Sequence, residues 1–286
     1  MTEQNGWKTV AVKDLAANER HSFIDGDWVE APFITTSGVR LIQTGNIGIG
    51  KFIDRNKKYI SNESFDFLKC KDVFAGDILI CRLADPIGRS CVVPELNGRA
   101  ITSVDVCILR VNSEEYARDF VAHALNQRPF LTACEEKSGG STRQRISRTN
   151  LGTIAILVPE NKSEQAKIAE ILSTVDRAIE QTEALIAKQQ RIKTGLMQDL
   201  LTRGIDEHGN LRSPETHPFK DSPLGRIPVE WDARELSEVV DLRVGYAFKS
   251  SWFAEDGVRL LRGENVGTGK ADWKDTQSLP HHKAAR

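Results

Sequence analysis

A chain of 286 residues in which 40% of the side chains are hydrophobic and 28% are charged has the composition of a globular protein with room for two domains. No apolar run reaches the roughly 18–20 residues that span a bilayer, and residues 1–7 lack the apolar core of a signal peptide. We therefore expect no membrane segment and a cytoplasmic location. The formal net charge of −1 excludes a strongly basic chain, so any nucleic-acid site must be a local cluster of positive charge.

Residues 1–160 are predicted to form one α/β (α+β) domain of short strands and helices. Its predicted strands are apolar or alternating runs bounded by glycine, proline and aspartate, and they cover residues 39–43, 77–82, 90–93, 103–110 and 153–158. A helix over residues 113–128 is predicted from a capping Asn112 or Ser113, acidic residues in its first turn, and Pro129 just beyond its end.

Residues 161–204 are predicted to form a single long helix, because this stretch contains no proline and only Gly195 before its last residue. Apolar side chains recur along it at close to heptad spacing, as in a coiled coil. The candidates for pairing with another helix are Ile168, Leu172, Val175, Ile179, Ile186 and Leu196. A rod about 60 Å long, at 1.5 Å per residue, cannot bury this stripe against itself, so we expect a second helix to cover it.

The last part of the chain repeats a segment of the first domain. A linker rich in proline and glycine is predicted over residues 205–228, and residues 229–286 follow it. Within them, residues 257–271 match residues 38–52 at an offset of 219, with eight of fifteen positions identical. We therefore expect a duplicated domain whose second copy is incomplete, at a period too long for a solenoid repeat.

The repeated segment contains Gly-Asn-Ile-Gly-Ile-Gly-Lys at residues 45–51, which nearly fits the phosphate-binding P-loop. That loop needs a hydroxyl after its lysine to hold magnesium, and Phe52 stands there. A glycine-rich turn between strands is one interpretation, and a place where the backbone approaches DNA closely is the other. In the second interpretation the donors to DNA are Arg40, Gln43, Asn46 and Lys51.

Residues 137–148 form the strongest local charge signal, with four cations and no acid. Their guanidinium, amide and hydroxyl groups are the types that contact phosphates and read base edges, and a solvated loop is the alternative. The candidate DNA contacts are Lys137, Ser141, Thr142, Arg143, Gln144 and Arg145. Arg82 and Arg89 flank a loop between two predicted strands and are further candidates, although structural ion pairing is the usual role of either alone.

Catalytic signatures are missing from the sequence. Glu135 and Lys137 have the spacing of half of a metal-dependent nuclease site, but no convincing Pro-Asp partner precedes them. The five cysteines form no CxxC pair, and the histidines lack metal-ligand spacing. We therefore expect reduced structural thiols, no metal, no cofactor and no enzyme activity.

Several segments follow one another in a characteristic order. They are GDILI at residues 76–80, GSTRQRIS at 140–147, EQAKIAEIL at 164–172, KTGLMQDLLTRG at 193–204 and SPLGRIP at 222–228. This order resembles the DNA specificity subunit of type I restriction–modification systems over essentially the whole chain. The resemblance implies two target recognition domains that each read half of a split DNA sequence, separated by a pair of antiparallel helices. It also implies non-catalytic binding of double-stranded DNA, because partner methyltransferase and restriction/translocase subunits carry out modification and cleavage.

The sequence departs from that family in length, since most of the second recognition domain and the second spacer helix have no counterpart here. We expect a chain truncated within the second recognition domain, whether as a natural half-subunit, a frameshifted product or a fragment. A homodimer through the spacer helix would then replace the missing helix and read an interrupted palindrome. Two hypotheses from other classes stay open: a metal-dependent nuclease-linked specificity module, and a coiled-coil scaffold with no role in DNA binding.

Overall fold

Short apolar segments of the first 160 residues form strands, as predicted. The computed structural model describes residues 6–83, 85–140 and 143–284, and the chain forms two compact units, Met1–Gln189 and Gln190–Arg286. The strands of the first unit are β1 (Trp7–Ala11), β2 (Phe23–Asp25), β3 (Val39–Ile42), β4 (Lys58–Ile60), β5 (Ile78–Cys81), β6 (Ser90–Val92), β7 (Ala100–Thr102), β8 (Val106–Leu109) and β9 (Ala155–Pro159).

Among the described residues of the first unit, these strands assemble into three sheets. Strands β2, β8, β5 and β6 form an antiparallel sheet in that order. In the second sheet β3 lies between antiparallel β4 and parallel β7. Strand β1 pairs with β9, so that Trp7 lies opposite Pro159. This pairing brings the two ends of the first domain together.

Strand β5 is buried on both faces because its side chains alternate between two cores. Ile78 and Ile80 pack with helical residues such as Phe120, whereas Leu79 and Cys81 pack in a second core with residues of the three-stranded sheet. All four side chains of the strand are fully buried. A strand covered on both sides has a continuous apolar run instead of alternation, which is the pattern that this segment shows.

The helices of the first unit are α1 (Asn62–Leu68), α2 (Arg118–Ala124), α3 (Arg128–Glu136) and α4 (Arg148–Thr153), and α5 (Lys162–Arg203) continues beyond it. The predicted helix over residues 113–128 is wrong at both ends. Asn112 accepts a hydrogen bond from the backbone N–H of Glu114 at 3.1 Å and so forms a turn. Pro129 lies in the first turn of α3, where its missing N–H costs no hydrogen bond, so it opens a helix.

The predicted strand over residues 103–110 is too long at its beginning. Residues 103–105 form a turn between β7 and β8. The backbone N–H of Val106 donates to Ser103 O at 3.0 Å across that turn. This turn separates two strands that belong to different sheets.

The long helix α5 spans 42 residues, which confirms the predicted rod. Its beginning is docked on the first domain through Gln165, which is fully buried. The Gln165 Oε1 atom accepts a hydrogen bond from the Ala117 N–H at 2.8 Å, and its Nε2 donates to Pro159 O at 2.8 Å. Ala169 is buried one turn further on, and Ile168 packs against the same core. These contacts fix the start of the helix on the domain.

The second unit contains a hairpin of β10 (Phe219–Ser222) and β11 (Gly225–Pro228), which lies in the segment predicted as a linker. The remaining elements are α6 (Leu236–Val239), β12 (Val258–Leu260), β13 (Val266–Gly267), β14 (Lys270–Ala271), β15 (Gln277–Leu279) and α7 (His281–Ala284). Strand β12 pairs with β15 as β3 pairs with β4. The repeat in sequence is therefore also a repeat in strand pairing.

The backbone conformation at the start of the first copy of the repeated segment recurs in the second copy. Gly38 has φ +118° and Gly257 has φ +135°. A Cβ atom on either glycine would lie 2.3 or 2.1 Å from a carbonyl oxygen of the paired strand, so both positions need glycine. This shared requirement supports a duplicated domain.

The five cysteines are buried and form no disulfide bond with one another. Burial raises the pKa of the Cys70 thiol to about 11 and that of Cys91 to about 12. In the described part of the chain, no helix is long and apolar enough to cross a membrane. No group of three His, Cys, Asp or Glu side chains among the described residues has an arrangement that could hold a metal ion.

Candidate nucleic-acid interface

Cleft 1, with a volume of about 510 Å³, opens where the parallel strands β3 and β7 end. The two strands leave the sheet at the same edge, because Ile42 lies opposite Thr102 and Ser103 N–H donates to Ile42 O at 3.0 Å. The turns that follow both strands therefore meet in one wall. The cleft is lined by Asp27, Trp28, Val29, Gln43, Thr44, Gly45, Asn46, Arg55, Asn56, Lys58, Ser103, Val104 and Asp105.

Cleft 2, with a volume of about 760 Å³, lies between α3, the loop after β5 and the cation-rich stretch predicted over residues 137–148, which we call the basic loop. Helix α3 contributes Arg128, Leu131, Thr132 and Glu135, whose spacing of three and four residues places them on one helix face. The other lining residues are Thr44, Leu83, Asp85, Pro86, Ile87, Arg143 and Gln144. Thr44 lines both clefts, so they adjoin.

The basic loop is attached to the rest of the fold by backbone contacts of Arg145 and Ile146. Its Arg145 exchanges two backbone hydrogen bonds with Gly139, at 2.9 and 3.0 Å, and forms a bridge with Leu83. Ile146 follows as a fully buried anchor whose N–H donates to Arg82 O at 3.0 Å. The exposed Arg143 and Gln144 therefore project from a backbone that is fixed on their C-terminal side.

An ion pair connects the basic loop to cleft 1. Arg145 Nε lies 3.0 Å from Asp105 Oδ1, and Asp105 lines cleft 1. We name clefts 1 and 2, together with the basic loop residues 143–145, the two-cleft surface. Of the predicted contacts, this surface brings together Gln43, Asn46, Arg143, Gln144 and Arg145.

Asn46 lines cleft 1 but is committed to the turn itself. Its Oδ1 accepts from the Gln43 N–H at 3.0 Å, and its Nδ2 donates to Ile53 O and Arg55 O at 2.9 and 2.7 Å. Its counterpart Asn265 accepts from the Arg262 N–H at 3.1 Å. Both ends of the Asn46 amide are bound within the fold, so these bonds indicate a structural role and do not support the prediction that Asn46 donates to DNA.

The side chains of Arg82 and Arg89 are buried and bind groups within the fold. Arg82 Nε lies 3.0 Å from Asp25 Oδ1, and its other nitrogens donate to the carbonyls of Ile146 and Val104. Burial lowers the pKa of Arg82, and the charge of Asp25 opposes that effect.

Arg89 joins the turn after β3 to the loop after β5. It donates to the carbonyls of Ile47, Pro86 and Thr44 at 2.8, 3.1 and 3.0 Å. Arg82 and Arg89 are both buried, so their burial does not support the predicted contact with DNA.

Arg40 is also buried, which its position on the central strand β3 explains. Its Nη2 donates to Asp54 Oδ1 at 3.2 Å, and its guanidinium lies 5.6 Å from the Tyr59 ring centre. The Nη1 atom is buried without a hydrogen-bond partner among the described residues. The predicted role of Arg40 as a donor to DNA is therefore not supported by its exposure.

The remaining candidates are spread around the surface. Lys51 is exposed on the turn after β3 but lines neither cleft. Lys137 is exposed and its Nζ donates to Thr153 Oγ1 at 2.9 Å. Ser141 and Thr142 lie outside the described residues.

Most residues that line the clefts were not predicted from the sequence, and four of them in cleft 1 have side chains suited to binding. Trp28 is 71% exposed beside cleft 1, and Arg55 and Lys58 line the same cleft. Asp105 carries the link to Arg145. Trp28 follows the polar residues 25–27, but nothing in the sequence distinguishes an exposed tryptophan from a buried one.

The apolar stripe of α5 is exposed beyond its docked beginning. Val175 is 53% exposed and Ile179 50% exposed, and Leu172, Ile186 and Leu196 are exposed too. Ile168 is the exception, because it packs on the first domain. Five of the six predicted helix-pairing residues are thus available to another surface.

Comparison with known proteins identifies the family. Residues 4–189 match the family described as Type I restriction modification DNA specificity domain. Since that match covers more than half of the chain, the chain belongs to this family.

Curated relatives agree with this assignment. The chain is 40% identical over 117 residues to the type I restriction enzyme MjaVIII specificity subunit of Methanocaldococcus jannaschii, covering 41% of this chain and 26% of that protein. It is 26% identical over 198 residues to the putative MjaX specificity subunit of the same organism, covering 66% and 44%. It is 38% identical over 69 residues to the EcoAI specificity subunit of Escherichia coli, covering 24% and 11%. The chain thus spans less than half the length of each of these relatives.

A solved structure supports the fold. The chain is similar, with a TM-score of 0.52 and 18% identity, to a protein chain in a structure described as "Structural basis underlying complex assembly and conformational transition of the type I R-M system". The similarity covers 70% of this chain and 46% of that one. The mixed architecture with a long helix is therefore shared with that protein.

Proposed function

We propose that the chain is a non-catalytic, sequence-specific DNA-recognition subunit of a type I restriction–modification complex. In this proposal the two-cleft surface binds one half of a split target in double-stranded DNA. Methyltransferase subunits and a restriction/translocase subunit supply modification and cleavage, and the complex acts in the cytoplasm. The observation that carries the proposal is the meeting of Gln43, Thr44, Arg143 and Gln144 at two adjoining clefts, in a chain of this family.

The chemistry of the two-cleft surface fits DNA. Arginine pairs with guanine and glutamine with adenine through two hydrogen bonds each, and Arg143 and Gln144 are exposed neighbours at cleft 2. Arg55, Lys58 and Arg128 are cations suited to phosphates at the edges of the clefts. The two-cleft surface also carries acids, namely Asp27, Asp85, Asp105 and Glu135, so its cations act as individual phosphate contacts and the surface is not a strongly basic patch.

Helix α5 supports the partner part of the proposal. Its exposed apolar stripe is longer than the patches that soluble monomers usually leave in water. We assign it to helix pairing next to the docking site of the methyltransferase subunits. A second copy of this chain, packed antiparallel about a two-fold axis, provides one such helix. That dimer would present two identical first domains and read an interrupted palindrome.

Co-purification with the methyltransferase subunit, followed by mapping of methylated sites on genomic DNA, tests the proposal. We expect a stable complex that methylates one short split sequence. Methylation at scattered sites would contradict sequence-specific recognition. Magnesium-dependent cleavage by the purified chain alone would favour the nuclease-linked alternative. Absence of DNA binding with the partner present would favour a coiled-coil scaffold.

A further inference from the structure

Asp105 is one of the acids that line the two-cleft surface, and it is paired with a cation of the basic loop. It lies in the turn between β7 and β8, lines cleft 1 and is 29% exposed. Its carboxylate is paired with Arg145, which is 42% exposed. A carboxylate at this point repels the phosphates that the surrounding cations attract.

Arg145 is already engaged in the free protein. Its Nε is held by Asp105 at 3.0 Å, and its Nη2 lies 3.4 Å from Val104 O. If a phosphate recruits Arg145, the ion pair opens and the Asp105 carboxylate is left without its cation beside the DNA. Such an arrangement is unfavourable wherever the DNA offers only phosphate oxygens.

We infer that Asp105 is a specificity-determining residue of the DNA site. Its carboxylate weakens the binding of DNA that is out of register and permits the binding of DNA that presents a base amino group. Cytosine N4 and adenine N6 are the donors that a carboxylate accepts from in the major groove. A wrong sequence therefore meets an uncompensated charge, and discrimination arises from repulsion as well as attraction. This inference rests on the proposed function.

The carboxylate can be removed without removing the turn. The backbone carbonyl of Asp105 accepts from the Arg82 N–H at 2.8 Å, and this bond does not depend on the side chain. Asp105→Asn therefore keeps the size and the main-chain contact while it deletes the charge. The variant tests electrostatics more than folding.

The chain offers a matched control in the Asp72–Arg99 pair. Arg99 binds both carboxylate oxygens of Asp72 at 3.0 Å, on an exposed part of the first unit. Neither residue lines cleft 1 or cleft 2 among the described residues. Asp72→Asn changes the net charge by the same amount as Asp105→Asn, so any difference between them reflects position.

The experiment uses the full chain bound to its methyltransferase subunit and a duplex library with a randomised core. Affinity for the unselected library and the enriched motif are measured for each variant. We expect Asp105→Asn to bind the unselected library about fivefold more tightly. The slope of log binding constant against log salt concentration should become steeper by about 0.9. The enriched DNA motif should lose its base preference at one or more positions. Asp72→Asn should match the wild type in all three respects.

Equal effects of Asp105→Asn and Asp72→Asn, or an unchanged motif in a folded Asp105→Asn complex, would overturn the inference. If Asp105→Asn is not recovered folded, Asp105→Ser and Asp72→Ser decide by the same two readouts, because both remove a carboxylate and keep every cation. Tighter library binding and a relaxed motif are expected for Asp105→Ser alone, and equal effects of the two variants overturn the inference. A wild-type complex that enriches no motif would instead contradict the proposed function itself.

Discussion

Burial separates the arginines of the first unit into two groups at the scale of single residues. Arg40, Arg82 and Arg89 are buried, whereas Arg143 and Arg145 are exposed at the two-cleft surface. In the sequence, Arg40 and Arg82 adjoin apolar strand residues and Arg89 follows a glycine, whereas Arg143 and Arg145 stand in a polar, glycine-containing stretch. The type and spacing of the residues could therefore predict a basic loop, but the side on which each guanidinium lies depends on contacts distant in sequence, such as that between Arg89 and Thr44.

Replacement of Arg89 by Met tests its bracing role. Removal of the guanidinium leaves three carbonyl acceptors without this donor, and we expect a loss of about 3 kcal/mol in unfolding free energy. Urea denaturation measures this loss. The control is Arg118→Met, an exposed arginine paired with Asp119, for which a change within about 0.5 kcal/mol is expected. Similar values for the two variants would argue against the brace.

Replacement of Arg143 by Ala tests the exposed group. We expect weaker DNA binding and a salt slope lower by about one unit, since each lost phosphate contact removes about that much. Loss confined to one base position of the target would make Arg143 a base reader instead. Binding titrations at several salt concentrations provide the measurement. An unchanged affinity and slope, compared with Arg118→Ala as control, would remove the basic loop from the site.

At the scale of elements, local patterns predicted what local forces determine. The continuous apolar run of β5 and the apolar stripe of α5, which has polar gaps at Thr182 and Gln189, were both predicted, because burial and helical periodicity are visible in the sequence. The helix near residue 113 was mispredicted because Asn112 has the same preference for a turn as for a helix cap. The parallel pairing of β3 with β7, which builds cleft 1, joins residues about sixty positions apart and has no local signature.

The docking of α5 can be tested through Gln165. Gln165→Ala removes the acceptor for the Ala117 N–H and the donor to Pro159 O in a fully buried site. We expect a loss of about 2 kcal/mol in stability and faster hydrogen exchange at Ala117. Gln181→Ala, on an exposed part of the same helix, is the control and should leave both unchanged. Unaltered exchange at Ala117 in the Gln165 variant would contradict the anchor.

At the scale of the whole molecule, the proposed reading of two half-sites depends on the duplicated segment and on the exposed stripe. The strand pairing and the glycine conformation of the first copy recur in the second. The stripe of α5 stays exposed among the described residues. A protein that reads a split sequence needs a second reading domain and a rod of defined length, and a helix of 42 residues suits that rod.

Substitution of Val175 and Ile179 by Asp tests helix pairing. Two carboxylates in the apolar stripe would be buried without partners in any helix pair, so we expect self-association at micromolar concentration to be lost. Light scattering of the wild type and the variant measures this. The control is Gln181→Asp with Ala184→Asp, which lie on the opposite side of the helix by its 3.6-residue period. A wild type that is monomeric without its partner would contradict the homodimer.

Site-specific photo-crosslinking to bound duplex tests the central claim most directly, namely that DNA lies on the two-cleft surface. A photoreactive residue is placed at Gln144 in cleft 2, at Arg55 in cleft 1, or at Leu157, an exposed position on β9 that lines neither cleft. With the methyltransferase subunit bound, we predict crosslinks to DNA from positions 144 and 55 and none from position 157. Crosslinks from position 157 alone, or equal yields from all three positions, would contradict the account.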